Sequence, residues 1–206
     1  MATQKTGFQK WQDGISKAAR DAKWDSWDCE IRSAVNEFNR HLADTPGYTE
    51  LDWRLVKAMV WTETGAEHRE WARKPMQIGV AGDPGLAALL SGNEGGDLIL
   101  PSTWKKRLTS GSARTIPNHN IRAGIGYLLM RMANFEYRHV ADSEPEHGGR
   151  AFHRQRRSQR VIAGWRRFST DTIAKRYNGG GDPNYASKLD FALEVMRGRV
   201  EAVCEQ

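Results

Sequence analysis

Glu63 is the residue whose type and setting bear most directly on chemistry. Around it, Leu55, Val56, Met59 and Val60 recur at helical spacing, Asp52 suits an N-cap, and Gly65 supplies a stop. Glu63 comes four residues after Met59, seven after Val56 and eight after Leu55. That spacing puts its carboxyl on the face that the apolar residues bury. Burial disfavours the ionised carboxylate, and the negative end of the helix dipole acts in the same direction, so both raise its pKa. A carboxylic acid that holds its proton near neutral pH can pass it to a leaving oxygen. The spacing also fits a purely structural role: a buried glutamate paired with an arginine, or one turned to the surface.

Three short motifs follow Glu63-Thr64 in order. Pro75-Met76-Gln77-Ile78-Gly79 comes first. Asn120-Ile121-Arg122-Ala123-Gly124 with Tyr127-Leu128 is second, and Tyr177-Asn178-Gly179-Gly180-Gly181 is third. No single motif is specific; their order is. The series resembles the lysozyme-like superfamily, specifically the soluble lytic transglycosylases and goose-type lysozymes, over about residues 50–196. The resemblance implies a mainly α fold, a lysozyme-like helical domain with a short Gly-rich loop or strand segment. It implies a peptidoglycan-cleaving muramidase acting on the β-1,4 bond between N-acetylmuramic acid and N-acetylglucosamine, with Glu63 as general acid. Tyr177 would hold its hydroxyl near Glu63 and orient it. Met76, Gln77, Ile78 and Tyr127 would line the substrate groove, and Asn178 would hold the turn or a sugar. No cofactor is implied. The sequence departs from the family pattern at Lys74-Pro75, where Gly-Leu is usual, and in the long Gly-rich stretch after Ile78. These departures touch the glycan subsites rather than Glu63.

Cleaving a glycosidic bond needs an acid at the leaving oxygen and stabilisation of an oxocarbenium-like centre. An inverting hydrolase adds a second carboxylate, roughly 6.5–9.5 Å from the first, to activate water. Glu67, Glu70, Asp83 and Asp97 are the candidates. Asp97 is preferred, because the Gly95-Gly96 pair before it allows that segment to fold over a cleft. A lytic transglycosylase needs no second carboxylate; Glu63 would act as acid and then base, leaving 1,6-anhydro ends. The run Gly179 to Gly181 fits close approach of a glycan or a plain turn between helices. It is no nucleotide loop, since no G-K-[ST] follows.

The elements that must carry these residues read as helices. Phe8, Trp11, Ile15 and Ala18 form one stripe, and Ile31, Val35, Phe38 and Leu42 another. Ile121, Ile125, Leu128, Met132 and Phe135 form the clearest, capped by Asn118 or Asn120. Val161, Trp165 and Phe168 suggest a further helix, and Tyr185, Leu189, Ala192, Met196 and Val200 the last. No alternating strand series appears. Residues 79–96 read as mostly loop, with Leu98-Ile99-Leu100 as a short strand. Residues 139–160, with Pro145, Gly148 and Gly149 among many charges, read as a mobile insertion. The expected organisation is one domain over 1–206, with a helical N-terminal part at 1–48 and a catalytic core at 49–200.

Composition bounds the function classes. A chain of 206 residues can bury roughly 70% of its unfolded surface, enough for one sizeable core. Its 8 tryptophans and 39% hydrophobic content exclude a disordered chain. No apolar run approaches the roughly 20 residues that cross a bilayer, so no membrane span is expected. His139, His147 and His153 are too widely spaced for a zinc site, so no metal is expected. Trp53, Trp61 and Trp71 lie near Glu63 in sequence, where core packing is the default and sugar stacking the alternative. Cys29 and Cys204 are two small core residues by default, or one long-range bridge.

Charge is uneven. Residues 150–176 carry nine basic side chains against one acid, Asp171, while the rest of the chain is slightly acidic. Such a patch suits an anionic partner, or is a solvated helix face. The expected partners are peptidoglycan glycan strands and a cognate immunity protein acting as inhibitor, with acidic groups toward the patch. A nucleic-acid partner is not expected, since no recognised binding motif is present; a basic helical module that binds glycan or nucleic acid without catalysis is the non-enzyme alternative. The first residues lack the apolar core of a secretory signal. The expectation is therefore synthesis in the cytoplasm and delivery to the periplasm of a target bacterium. This resembles peptidoglycan-degrading effectors of the type VI secretion system; a phage endolysin is the other route.

Overall fold

Short helices account for most of the chain. The computed structural model describes residues 4–18, 20–80, 82–140, 157–197, 199 and 204. Helix α1 spans Gly7–Ala18, followed by a 3-10 turn at Ala22–Asp25, α2 at Asp28–Leu42 and α3 at Trp53–Glu63. Helices α4 (Pro84–Ser91), α5 (Gly96–Ile99), α6 (Ser102–Arg107) and α7 (Ser110–Thr115) lead to α8 at Pro117–Met132. Strands β1 (Ala133–Val140) and β2 (Arg157–Trp165) then pair antiparallel, and α9 (Thr170–Arg176) and α10 (Tyr185–Met196) follow. The fold is mainly α with one small sheet.

Helix α8 is the hub. It packs against α2, α4, α5, α7 and α9, while α3 packs against α2 and α10, and α1 against α10. Ile121, Ile125, Leu128 and Leu129 are fully buried on α8, as the apolar stripe predicts. On the α2 side the buried Arg122 guanidinium pairs with Glu37 at 2.6 Å and with Glu30. Trp61 and Trp71 are core residues packed around Trp24, edge-to-face and tilted respectively, and Trp53 lies under Arg32. Among the described residues, no helix is long and apolar enough to cross a membrane.

Several elements differ from the sequence reading. Helix α8 starts with Pro117 in its first turn after Ile116, so neither Asn118 nor Asn120 is the cap. It ends at Met132, and Phe135 belongs to β1. Val161 and Trp165 lie in β2, where Phe135 pairs with Ile162 and Ala133 with Trp165. Their spacing imitates a helix stripe, but pairing with a strand distant in sequence decides the conformation. Within the stretch read as loop, Asp83 caps α4, Pro84 opens it and Gly92, at φ 72, ends it. The segment read as a strand at Leu98 is the end of α5, whose Leu100 N–H returns to Gly96 O. Helix α10 ends at Met196. The stretch read as an insertion from 139 to 160 is shorter at both ends, because His139 and Val140 close β1 and residues 157–160 open β2, paired across the sheet; Val200 and residues 141–156, which include His147 and His153, lie outside the described residues. Cys29 and Cys204 are joined in a disulfide with their Cα atoms 5.4 Å apart, not left as two separate core thiols.

Candidate functional site

Helix α3 stops at Glu63 because Gly65 takes a left-handed φ of 67. The Thr64 and Gly65 N–H groups both donate to Val60 O. A Cβ on Gly65 would come within 2.9 Å of the Trp24 ring, so packing as well as conformation requires glycine there. The Thr64 hydroxyl lies 2.9 Å from Pro75 O, which ties the helix end to the first motif.

Glu63, a half-buried residue, lines an open cleft of about 370 Å³. The Tyr185 hydroxyl, buried on the first turn of α10, donates to Glu63 Oε1 at 2.6 Å. Among the described residues no other hydrogen-bond donor reaches this carboxyl, which leaves Oε2 without a donor at the cleft that Glu63 lines. Burial pushes the Glu63 pKa up to about 7. The Tyr185 hydrogen bond and the Lys188 charge oppose the rise, and the Asp182 and Asp83 carboxylates add to it. Lys188 is itself held by Asp182 at 2.6 Å, which blunts its pull on Glu63.

One wall is the segment Met76-Gln77-Ile78. Asn120, fully buried on α8, clamps it: its Oδ1 accepts from Met76 N at 2.9 Å and its Nδ2 donates to Ile78 O at 3.0 Å. The same amide donates to Ala113 O at 2.7 Å. One turn later, Gly124 leaves room for Met76; a Cβ there would sit 2.5 Å from the Met76 sulfur. Between the two clamped residues Gln77 takes φ 54, the one positive φ outside glycine among the described residues. That conformation costs about 1–2 kcal/mol and persists because the flanking contacts over-determine it.

Val80 and Asp83 also line the cleft. Asp83 accepts from Gly79 N at 2.9 Å through Oδ2 and from Gly85 N at 2.8 Å through Oδ1, closing the turn that begins α4. Tyr127 and Tyr177 complete the cleft with ring centroids 5.5 Å apart. Asn178 lines it beside them, and its Oδ1 accepts from Asp182 N at 2.8 Å, so it holds the turn before α10. Gly179 and Gly180 take left-handed φ in open space, so conformation rather than crowding explains them.

The structure thus brings Glu63, Met76, Gln77, Ile78, Tyr127, Tyr177 and Asn178 to one cleft. Two expectations are corrected. Tyr177 lies near Glu63, whose charge helps raise its pKa, but its hydroxyl donates to Met76 O at 3.2 Å and holds the wall, while Tyr185 makes the hydrogen bond that orients Glu63. Asp97 is exposed on α5 and lies outside the cleft. The glycines before it make no flap: Gly95 caps α5 at φ 94, and Gly96 sits so close to Leu89 that a Cβ would meet its carbonyl oxygen. Asp83, weighed but not preferred, is the second carboxylate of the cleft. Glu67 is exposed, and Glu70 pairs with Arg73 and Lys74. Sequence reasoning missed Val80 and Tyr185. The signal for Tyr185 was a tyrosine at an otherwise apolar stripe position, since a buried hydroxyl needs a partner.

Among the described residues no group of His, Cys, Asp or Glu gathers in a way that could hold a metal ion. The arrangement offers one carboxyl with a pKa of about 7, a second carboxylate lining the same cleft, and two tyrosine rings. The class this defines is a mainly helical protein with an acid-bearing aromatic cleft. Family models, curated proteins and solved structures show no match to the chain.

Proposed function

We propose that the protein is a glycoside-cleaving enzyme of lysozyme-like type, a muramidase acting on the β-1,4 bond between N-acetylmuramic acid and N-acetylglucosamine. The observation that carries this reading is Glu63: a carboxyl pushed up to about 7 by burial, held by Tyr185 through Oε1 and lining a cleft. Glu63 donates its proton to the leaving oxygen, a step worth about 10²–10⁴-fold in rate. The Tyr127 and Tyr177 rings offer faces for sugar, and the clamped Gln77 presents its amide to the glycan. Asp83 is the candidate to activate water; each of its oxygens keeps a lone pair after binding a backbone N–H.

A second reading is a lytic transglycosylase. It is favoured by the same two hydrogen bonds, which commit Asp83 to closing its turn and leave Glu63 to act as acid and then base. Mass spectrometry of fragments from purified peptidoglycan separates the two. Reducing ends, lost in Glu63→Gln and reduced in Asp83→Asn, support hydrolysis. Anhydro ends, lighter by one water and insensitive to Asp83→Asn, support the transglycosylase. Equal release by wild type and Glu63→Gln would remove Glu63 from the mechanism.

The proposed setting is antibacterial, with action in the periplasm of a target cell and a cognate immunity protein as inhibitor. The Cys29–Cys204 bridge suits an oxidising compartment of that kind. An inhibitor complex whose affinity does not fall with added salt would argue against acidic groups docking on the basic patch.

A further inference from the structure

One turn joins the two tyrosines nearest the acid. Tyr177 caps α9, Tyr185 opens α10, and residues 178–184 run between them. Asp182 fastens that turn through its backbone and both carboxylate oxygens. Its N–H donates to Asn178 Oδ1 at 2.8 Å, and its carbonyl accepts from Tyr185 N at 3.1 Å. Its Oδ1 accepts from Asn184 N at 2.9 Å, and its Oδ2 from Lys188 Nζ at 2.6 Å. Closing the turn accounts for the first three bonds. It does not account for the fourth, made to a lysine whose charge reaches Glu63. Lys188 is half-buried and lies three residues after Tyr185, so the two share a face of α10. The Trp11 ring of α1 sits 5.5 Å from its ammonium and restrains it from another side.

We propose that Asp182 is a positioning residue for the acid: it pins the Lys188 ammonium so that no Lys188–Glu63 ion pair forms, and it closes the turn that sets Tyr185 on Oε1. The inference rests on the proposed reading of Glu63 as a proton donor. An ammonium bound to Glu63 would hold it ionised, with no proton to give. The groups that act on Glu63 are Tyr185 and Lys188 on α10, Asp182 in the turn, Tyr177 at the end of α9 and Asp83 at the start of α4. Lys188 is the cation in that set, so its partner decides whether Glu63 stays an acid. With Asp182 and Lys188 paired, their opposite charges largely cancel at Glu63, and burial is left to prevail.

The test uses the full chain as Asp182→Asn, Lys188→Met and the double variant. The Glu63 carboxyl is titrated by NMR in protein with carbon-13-labelled glutamate, its signal assigned by its loss in Glu63→Gln. The alkaline fall in release of fragments from purified peptidoglycan is followed in parallel. Asp182→Asn keeps the oxygen that accepts from Asn184 N but frees Lys188, and it should move both midpoints to lower pH by about one unit. Lys188→Met leaves the Asp182 charge unopposed and should move them to higher pH. The double variant removes both charges and should return close to wild type. A turn that was merely loosened would admit water and lower the Glu63 midpoint in every variant that carries Asp182→Asn, the double included. Single variants that move the midpoint the same way, or not at all, overturn the proposal, as does a double variant that does not return. If the midpoints of the carboxyl move as expected while no variant and no wild type cleaves peptidoglycan, the cleavage reading fails and the placement of Lys188 by Asp182 stands. Cleavage that needs Glu63 but keeps one midpoint throughout leaves the cleavage reading intact and overturns this one.

Discussion

Glu37 and Glu63 are both partly buried glutamates that accept a hydrogen bond from an aromatic side chain, yet their pKa values move in opposite directions. Burial by itself would raise Glu37, but the Arg122 hydrogen bond and charge override it, helped by the Trp104 N–H, and hold it below the usual range. At Glu63 the donor is a neutral tyrosine, and Lys188, whose charge opposes the rise, is already held by Asp182. Burial therefore prevails and the carboxyl keeps its proton. A full positive charge at hydrogen-bond distance outweighs the moderate desolvation at Glu37, whereas a neutral donor does not outweigh the deeper desolvation at Glu63. Glu37 joins α2 to α8 as a structural ion; Glu63 faces a cleft as an acid.

The largest expected effect is on catalysis. Glu63→Gln should lower the release of glycan fragments by about 10²–10⁴-fold, measured on purified peptidoglycan, while Glu37→Gln should leave the chemical step intact. Next comes stability at the other glutamate. Arg122→Ala strands two carboxylates in a partly buried site and should cost about 3–5 kcal/mol in denaturant unfolding.

The pH dependence sharpens the comparison. Glu63 rises from an ordinary 4.5 to about 7, so the native state binds more protons across that window. The stability it contributes is whole below about 4.5 and is lost as pH rises through about 7. Glu63→Gln should therefore be more stable than wild type at pH 8 by about 3 kcal/mol, with the difference vanishing in acid; an equal gain at every pH would break the argument. Glu37 works the other way, and its contribution is lost as pH falls through its lowered value. The smallest effect is Tyr185→Phe. It removes a hydrogen bond that favours the charged Glu63, so the alkaline fall in activity should move to higher pH, by up to about one unit. A fall that moves to lower pH would contradict Tyr185 as the positioning residue.

Much of the cleft was legible in short motifs. The Asn120…Gly124 spacing is one turn of α8, and both residues meet Met76, so a local pattern encodes a contact with a distant segment. Two residues misled. Asp97 follows two glycines that suggest freedom, but Gly96 is fitted against Leu89 and closes a helical turn. Trp165 sits at helical spacing from Val161, yet its indole N–H donates to Thr45 Oγ1 at 2.9 Å across the molecule, on a strand paired to β1.

By itself the sequence determined where α3 ends and which face Glu63 shares, because a helix stop and a 3.6-residue period are local properties. It also determined the order of the motifs that reach the cleft. Only the tertiary structure decided that Tyr185 rather than Tyr177 holds Glu63 and that Asp83 rather than Asp97 shares the cleft. Each of those depends on how α3, α8, α9 and α10 are set against one another, and such placements come from packing between residues far apart in the chain.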